Sequence, residues 1–291
     1  MAEIINGREL AKELRQSIDL HIDELIKEHG ILPGLAVVIV GEDPASLLYI
    51  ENKKRAAAKV GIKSFVHQLP EESEEDKILN LIDMLNDDDN VNGILVQLPL
   101  PEHIDPVVIL EAINPDKDVD GLHSYNVGSL VKGNSNSMAP CTPLGCMALI
   151  KKVEHNLSGL HAVVIGRSNL VGRPMAELLL KEDCTVTICH SKTADIAEIS
   201  RQADILISAT GEAGLVKKEW IKPDAIVIDV GITRVEKGKL AGDVLFDEVS
   251  EVAKYITTVP GGVGPMTIAC LLGNTLIATC RQNGLTVPQI G

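Results

Sequence analysis

The chain has 291 residues, enough for one large domain or two ordinary ones, and 45% of them are hydrophobic, so core material is ample. A net charge of −14 with only 2% aromatic residues argues against a nucleic-acid surface, which needs basic patches and stacking rings. No run of about 18 apolar residues predicts a membrane span, and MAEIINGREL has neither the basic flank nor the apolar stretch of a secretory signal. The six cysteines form no C-x-x-C pair, and four of them lie in apolar segments. That usage predicts a reducing cytoplasm, without disulfides, structural zinc or any other metal.

In chain order, Leu10, Leu14, Ile18, Ile22, Leu25 and Ile26 make an apolar helical stripe over residues 7–29, stopped by Gly30. Residues 34–40 (GLAVVIV) read as a buried strand, 45–60 as a helix and 62–69 as a second strand. Ser73-Glu74-Glu75-Asp76 resembles a capping box opening a helix through Ile78, Ile82 and Leu85. Residues 92–98 (NGILVQL) are a third strand, and this alternation predicts parallel strands with covering helices. A short helix follows at 107–112, and residues 114–141 read mostly as loop. Thr142-Pro143 has the form of a helix start.

The next stretch, residues 161–193, reads strand, glycine turn, helix, strand. Gly166-Arg167-Ser168-Asn169-Leu170-Val171-Gly172 stands where a dinucleotide-binding turn has G-x-G-x-x-G, with serine at the second glycine position. Glycine lets a pyrophosphate approach the backbone, and the helix N-terminus offers N–H groups to that anion. The second strand ends in His190-Ser191-Lys192 rather than in an acid that would receive a ribose hydroxyl. Hydroxyls and cations, with Arg167 in the preceding turn, suit a 2′-phosphate, so the pattern predicts NADP rather than NAD. A doubly wound domain with a different anion site stands beside that reading. Strands at 205–209, 225–230 and near Tyr255 follow, and a last helix over 266–281 is long enough to return to the first domain.

Several side chains outside that turn could do chemistry. Tyr49 and Lys53 are four apart and share a helix face, with Lys54 and Arg55 as neighbouring cations that would depress the lysine pKa. By spacing alone, a core-edge aromatic and a surface charge are the commoner reading. Gln97 ends a strand, aimed at a ligand or satisfied by loop backbone. Asp116, Asp118 and Asp120 crowd one turn. Calcium is one reading, without the EF-hand spacing; a single carboxylate gripping a flat pair of N–H donors is another. The 257–265 loop, TTVPGGVGP, allows close approach to a flat ring, and Asp229-Val230-Gly231-Ile232 ends a strand where a nicotinamide could lie.

Taken in order, Tyr49-x-x-x-Lys53, Gln97-Leu98-Pro99-Leu100-Pro101, Lys117-Asp118-Val119-Asp120-Gly121, Pro140-Cys141-Thr142-Pro143, the Gly166–Pro174 turn, Cys189-His190-Ser191, Asp229-Val230-Gly231-Ile232 and Pro260-Gly261-Gly262-Val263-Gly264-Pro265 form a set. The set resembles the bifunctional methylenetetrahydrofolate dehydrogenase/methenyltetrahydrofolate cyclohydrolase family over essentially the whole chain. Thr258, where the family usually has proline, and Thr233, where asparagine is common, depart from it. The resemblance implies an α/β fold of two domains with the active-site cleft between them. An N-terminal folate domain would hold residues 1–141 plus 268–291, and a Rossmann-type NADP domain residues 142–267. It implies oxidation of 5,10-methylenetetrahydrofolate with NADP⁺, then hydrolysis to 10-formyltetrahydrofolate. Lys53 would transfer protons, Tyr49 border the pterin, Gln97 tune the lysine and Asp120 grip the pterin edge. Pro260, Gly261 and Gly262 would close over substrate; Gly166, Arg167, Ser168 and Ser191 would hold NADP, and Ile232 would touch the nicotinamide. A cytoplasmic homodimer is also implied. A dehydrogenase without the hydrolase step, a NADP-binding sensor and a hydroxy-acid dehydrogenase are the competing readings.

Overall fold

The computed structural model describes residues 1–134, 136–235 and 238–290. The chain splits into two compact units. Unit 2, whose bulk comes first in the chain, comprises Lys12–Ser129, Ser135–Ala139 and Ile268–Gly291; unit 1 comprises Met1–Ala11, Leu130–Asn134 and Pro140–Thr267.

Unit 2 is a three-stranded parallel sheet with helices. Strand β2 (Gly34–Val40) is central, with β3 (Lys63–Leu69) on one side and β4 (Gly93–Val96) on the other. Every residue of β2 is buried, as its unbroken apolar run requires of a strand covered on both faces. Helix α1 (Gly7–His29) lays Ile18 and Ile22 into the core, and Asn6 caps its start, accepting from the Glu9 N–H at 3.2 Å. Helix α2 (Pro44–Lys59) starts at Asp43, whose carboxylate accepts from the Ser46 N–H at 2.8 Å, with Pro44 at the first position. Helix α3 (Glu75–Asp87) buries Ile78, Ile82 and Leu85. The expected capping box does not form. Glu74 is the residue before the helix and makes no side-chain cap, while Ser73 is turned inward, 5% exposed, its hydroxyl without a partner. After the short α4 (Pro106–Glu111), the expected loop contains a helix, α5 (Ser124–Val131). Its entry is built by Asp118, whose carboxylate accepts from the N–H groups of Leu122 and His123.

Unit 1 carries a six-stranded parallel sheet in the order β1-β11-β8-β7-β5-β6. Here β1 is Glu3–Ile5, β5 His161–Ile165, β6 Thr185–Cys189, β7 Ile205–Ser208, β8 Ile226–Asp229 and β11 Tyr255–Thr257. Between β8 and β11, β9 (Thr233–Arg234) and β10 (Leu240–Ala241) pair as a small antiparallel ribbon. Residues 1–11 were expected in the folate domain; instead β1 pairs in parallel with β11 and joins this sheet. Three residues give no periodicity to read, and their partner lies at the other end of the chain. Helix α6 (Cys141–Val153) has Pro140 at its cap, two residues before the expected Thr142 cap, and the Thr142 hydroxyl meets that of Thr267 at 3.0 Å instead of capping. Helices α7 (Gly172–Lys181), α8 (Ile196–Ser200) and α9 (Phe246–Val249) complete the unit's helical cover around a core that includes Val163, Leu206, Val227 and Ile256.

The last helix, α10 (Val263–Gln282), opens three residues earlier than expected, so the second half of the 260–265 loop is its first turn. Its later part packs in unit 2, where Asn274 donates to the carbonyls of Val119 and Ala139, and Gln282 to those of Asn92 and Asp116. It is long and apolar enough to cross a membrane by composition, but 72% of that stretch is buried in protein, as a core helix is.

Candidate functional site

At the carboxyl edge of the three-stranded sheet, α2 and the end of β4 converge on one lysine. Because α2 follows β2 directly, its helical i, i+4 spacing carries Tyr49 and Lys53 to the same side. Strand β4 pairs with β2, and the Gln97 N–H extends that ladder by donating to the Val38 carbonyl at 2.8 Å. Gln97 is thereby held beside α2. Its amide is oriented, because Nε2 donates to the Leu98 carbonyl at 2.7 Å and leaves Oε1 to accept from Lys53 Nζ at 2.9 Å. The ammonium also lies 4.7 Å from the centroid of the Tyr49 ring, within cation–π range. Lys53 is 5% exposed, whereas lysines are almost never buried unless paired. Its neighbours Lys54 and Arg55 point outward; Arg55 donates to Glu51 and Asn52 on its own helix. The surface-charge reading of Lys53 therefore fails, and the three residues predicted from sequence stand in one cluster.

The acid-rich turn sorts itself by burial. Lys117 donates to three carbonyls, those of Leu85, Asn86 and Asp88, and so closes the C-terminal end of α3; desolvation lowers its pKa. Asp118 accepts from Leu122, His123 and Asn126, and burial raises its pKa. Asp116 is exposed. That leaves Asp120, half-buried, whose carboxylate makes no hydrogen bond among the described residues.

In unit 1 the corresponding edge is a row of turns. The parallel register sets Ile165 opposite both Cys189 and Ser208, and Ser208 opposite Asp229, so four strands end together. Gly166 leaves β5 at φ +123°, a conformation open to glycine. A Cβ on Gly172 would overlap the Gly166 carbonyl, and one on Gly166 would overlap that of Ala209. The turn is thus packed backbone on backbone against the first turn of α7, where the Gly172 N–H donates to Ser168 Oγ at 3.5 Å and that of Arg173 to the Ser168 carbonyl at 3.1 Å. Ser168 Oγ accepts from the Val171 N–H at 3.1 Å and so shapes the turn itself. Arg167, Ser168 and, across the edge, Ser191 and Lys192 are exposed. These residues fit a phosphate-bearing dinucleotide, with cations at the place where an acid would exclude a 2′-phosphate.

Ile232 stands 55% exposed beyond β8. Pro260 is exposed and Gly262 buried, with the Gly262 N–H donating to the Thr258 carbonyl at 2.8 Å. Both departures from the family pattern have local work. Thr258 donates from its hydroxyl to the Pro260 carbonyl at 3.3 Å, and Thr233 to that of Gly211 at 3.0 Å. The sequence reading missed Asp243, which is fully buried and accepts from Ser208 Oγ and the Thr210 N–H. The only signal for it was an acid between glycine and valine in a segment otherwise read as loop.

Two family models match. Residues 5–120 match the tetrahydrofolate dehydrogenase/cyclohydrolase catalytic domain, and residues 140–283 its NAD(P)-binding domain. The chain is 54% identical to the bifunctional protein FolD of Parvibaculum lavamentivorans, covering 99% of each. Among solved structures it is similar to the bifunctional FolD enzyme of Campylobacter jejuni (48% identity, TM-score 0.94, 97% of this chain and 100% of that one). It is also similar to the FolD of Trypanosoma brucei complexed with NADP cofactor and inhibitor (42%, TM-score 0.94, 97% and 98%). The chain belongs to the tetrahydrofolate dehydrogenase/cyclohydrolase family.

Proposed function

We propose that this chain oxidises 5,10-methylenetetrahydrofolate to 5,10-methenyltetrahydrofolate with NADP⁺ and hydrolyses the product to 10-formyltetrahydrofolate. The observation that carries this reading beyond family membership is the buried Lys53 ammonium, 2.9 Å from an amide oxygen that is itself oriented.

The residues divide the work. NADP⁺ accepts the hydride released from the methylene carbon as the adjacent nitrogen lone pair moves in. That step needs orientation more than a base. The Gly166–Gly172 cradle, with Arg167, Ser168 and Ser191 at its rim, binds the cofactor phosphates, and Ile232 borders the nicotinamide. Hydrolysis needs a proton carrier. Water adds to the methenyl carbon and releases one proton to solvent; the hydroxyl of the resulting carbinolamine then gives up its proton as the C=O forms, the carbon–N5 bond breaks, and N5 takes a proton in its place. Lys53 shuttles that proton, Gln97 fixes its Nζ, Tyr49 borders the pterin, and the free carboxylate of Asp120 takes the pterin's paired N–H donors. Pro260, Gly261 and Gly262 close over the substrate.

The folate domain takes residues 1–141 plus 268–291 and the NADP domain residues 142–267, with β1 of the first lending a strand to the sheet of the second. The six cysteines are all buried and none is in a disulfide, in keeping with a cytoplasmic enzyme. A homodimer is supported by β6, which ends the six-stranded sheet as an edge with Ile188 39% exposed.

The test is one assay. Methylenetetrahydrofolate and NADP⁺ are mixed with the purified chain, and NADPH and methenyl absorbance are followed together. NADPH with only transient methenyl is expected; methenyl that accumulates removes the hydrolase, and no NADPH removes the whole reading.

A further inference from the structure

Two buried acids lie under the cofactor edge of the six-stranded sheet, and the chemistry described so far uses neither. Asp229 ends β8 and is 4% exposed; Asp243 follows β10 and is 0% exposed. Asp229 Oδ1 accepts from the N–H groups of Gly231 at 3.0 Å and Asp243 at 2.9 Å, and its Oδ2 from that of Val244 at 3.0 Å. Asp243 Oδ2 accepts from the Thr210 N–H at 2.7 Å and the Ser208 hydroxyl at 3.0 Å. The two carboxylates cross. Any Cβ on Gly231 would overlap the Asp243 carboxylate, and any on Gly242 would overlap that of Asp229. Each acid therefore sits on the glycine neighbouring the other.

We propose that Asp229 and Asp243 are positioning residues for hydride transfer, a crossed clamp that fixes the turns on which the nicotinamide end of the cofactor rests. The segments it ties are the right ones. Asp229 holds Gly231, the residue before Ile232. Asp243 holds both sides of Ala209, whose carbonyl is the wall against which Gly166 packs. One unit thus sets the nicotinamide-side turn and the back of the phosphate turn together. Its cost argues for function. Asp243 Oδ1 is buried without a partner, and burial pushes the Asp229 carboxyl up to about 6 despite three N–H donors. Apolar residues would close the same space without that penalty, and such penalties gather at functional sites. The inference rests on the reading that Ile232 faces the nicotinamide.

Asp243→Ala and Gly231→Ala test it, each assayed for methylenetetrahydrofolate oxidation and, separately, for hydrolysis of methenyltetrahydrofolate supplied directly. Expected is a fall in dehydrogenase kcat of about tenfold or more, with hydrolysis kept within about twofold. Asp243→Asn, which keeps an oxygen for Thr210 and Ser208, recovers most of the loss. If Asp243→Ala does not fold, Gly231→Ala carries the decision by the same split. Unchanged dehydrogenase in folded Asp243→Ala or Gly231→Ala, or equal loss of both activities, overturns the clamp. Wild-type protein that makes no NADPH overturns instead the reading on which the clamp depends.

Discussion

The two sheet edges solve different problems with different materials. At the edge of the three-stranded sheet the chemistry sits in side chains held by one another: Lys53 on Gln97, Gln97 on the Leu98 carbonyl, all at or near the interior. At the edge of the six-stranded sheet the candidate ligand side chains, Arg167, Ser168 and Ser191, are exposed, and what is buried is backbone packed on glycine with two acids beneath it. A proton must be delivered to one atom, so its carrier is fixed beforehand. A phosphate is large, multiply charged and served by many donors, so a rigid backbone cradle with mobile cations at the rim is enough.

If that contrast is right, the largest effect of any single change falls on the side-chain site. Lys53→Ala is expected to lower methenyl hydrolysis by about 100-fold or more, with NADP⁺ affinity unchanged within about twofold. A variant that hydrolyses at the wild-type rate takes the proton carrier away from Lys53. Both activities and cofactor affinity falling together would mean that the lysine serves the fold rather than the reaction.

One acid under the other edge, Asp229, gives a pH signature in stability. With its carboxyl held at about 6, Asp229 keeps a proton in the folded state at pH values where the unfolded chain has lost it. The resulting stabilisation is complete below the ordinary carboxylate range and is lost as pH rises through about 6, a change of about 3 kcal/mol. Asp229→Asn cannot ionise. In urea unfolding, wild-type stability minus that of Asp229→Asn should therefore be about 2 kcal/mol smaller at about pH 7 than at about pH 4. A difference that stays flat with pH means Asp229 titrates normally and its burial costs little.

The exposed rim gives a smaller and more selective response. Arg167→Ala combined with Ser191→Ala removes a charge-assisted contact and a hydroxyl from the 2′-phosphate and should weaken NADP⁺ by about tenfold or more. NAD⁺, lacking that phosphate, should lose about twofold at most. Calorimetric titration with both cofactors decides it, and equal losses remove the 2′-phosphate assignment.

What could be read from the sequence follows from the range of the interactions concerned. The alternation of buried strands and amphipathic helices is local, and β2, β3, β4 and β5 stand within a residue or three of where the pattern puts them. Helix α5 was hidden because its start is secured by Asp118 rather than by a cap of its own, and β1 because its partner β11 lies at the far end of the chain. Ser73 carried the right letters for a cap, but tertiary packing turned it inward. Tyr49 and Lys53 were legible as a pair since helical spacing alone brings them together. That Gln97 meets Lys53 depends on β4 pairing with β2, which no spacing reveals; the ordered motif set supplied it. The Asp229–Asp243 crossing depends on the ribbon after β8, and nothing local marks it.

Ser168 sits on the boundary between the two ways of building a site, and its removal should give the smallest effect and the sharpest distinction. Its oxygen already accepts from the Val171 N–H, so it helps fold the turn, while its own proton remains to be donated. As a turn-builder it is comparable to a helix cap, and Ser168→Ala should cost about 1 kcal/mol of stability without cofactor. If that is all it does, NADP⁺ affinity should fall only as far as the turn loosens, and the drop should shrink in the presence of a stabilising osmolyte. If the hydroxyl also donates to a phosphate, affinity falls by about a further tenfold that no osmolyte restores. Thermal unfolding with and without NADP⁺, compared with Asp43→Ala as a cap of similar worth in the other unit, separates the two. A cofactor-induced rise in Tm that is the same in Ser168→Ala as in Asp43→Ala makes Ser168 part of the cradle's frame, and Arg167 and Ser191 then remain as the only rim side chains assigned to the ligand.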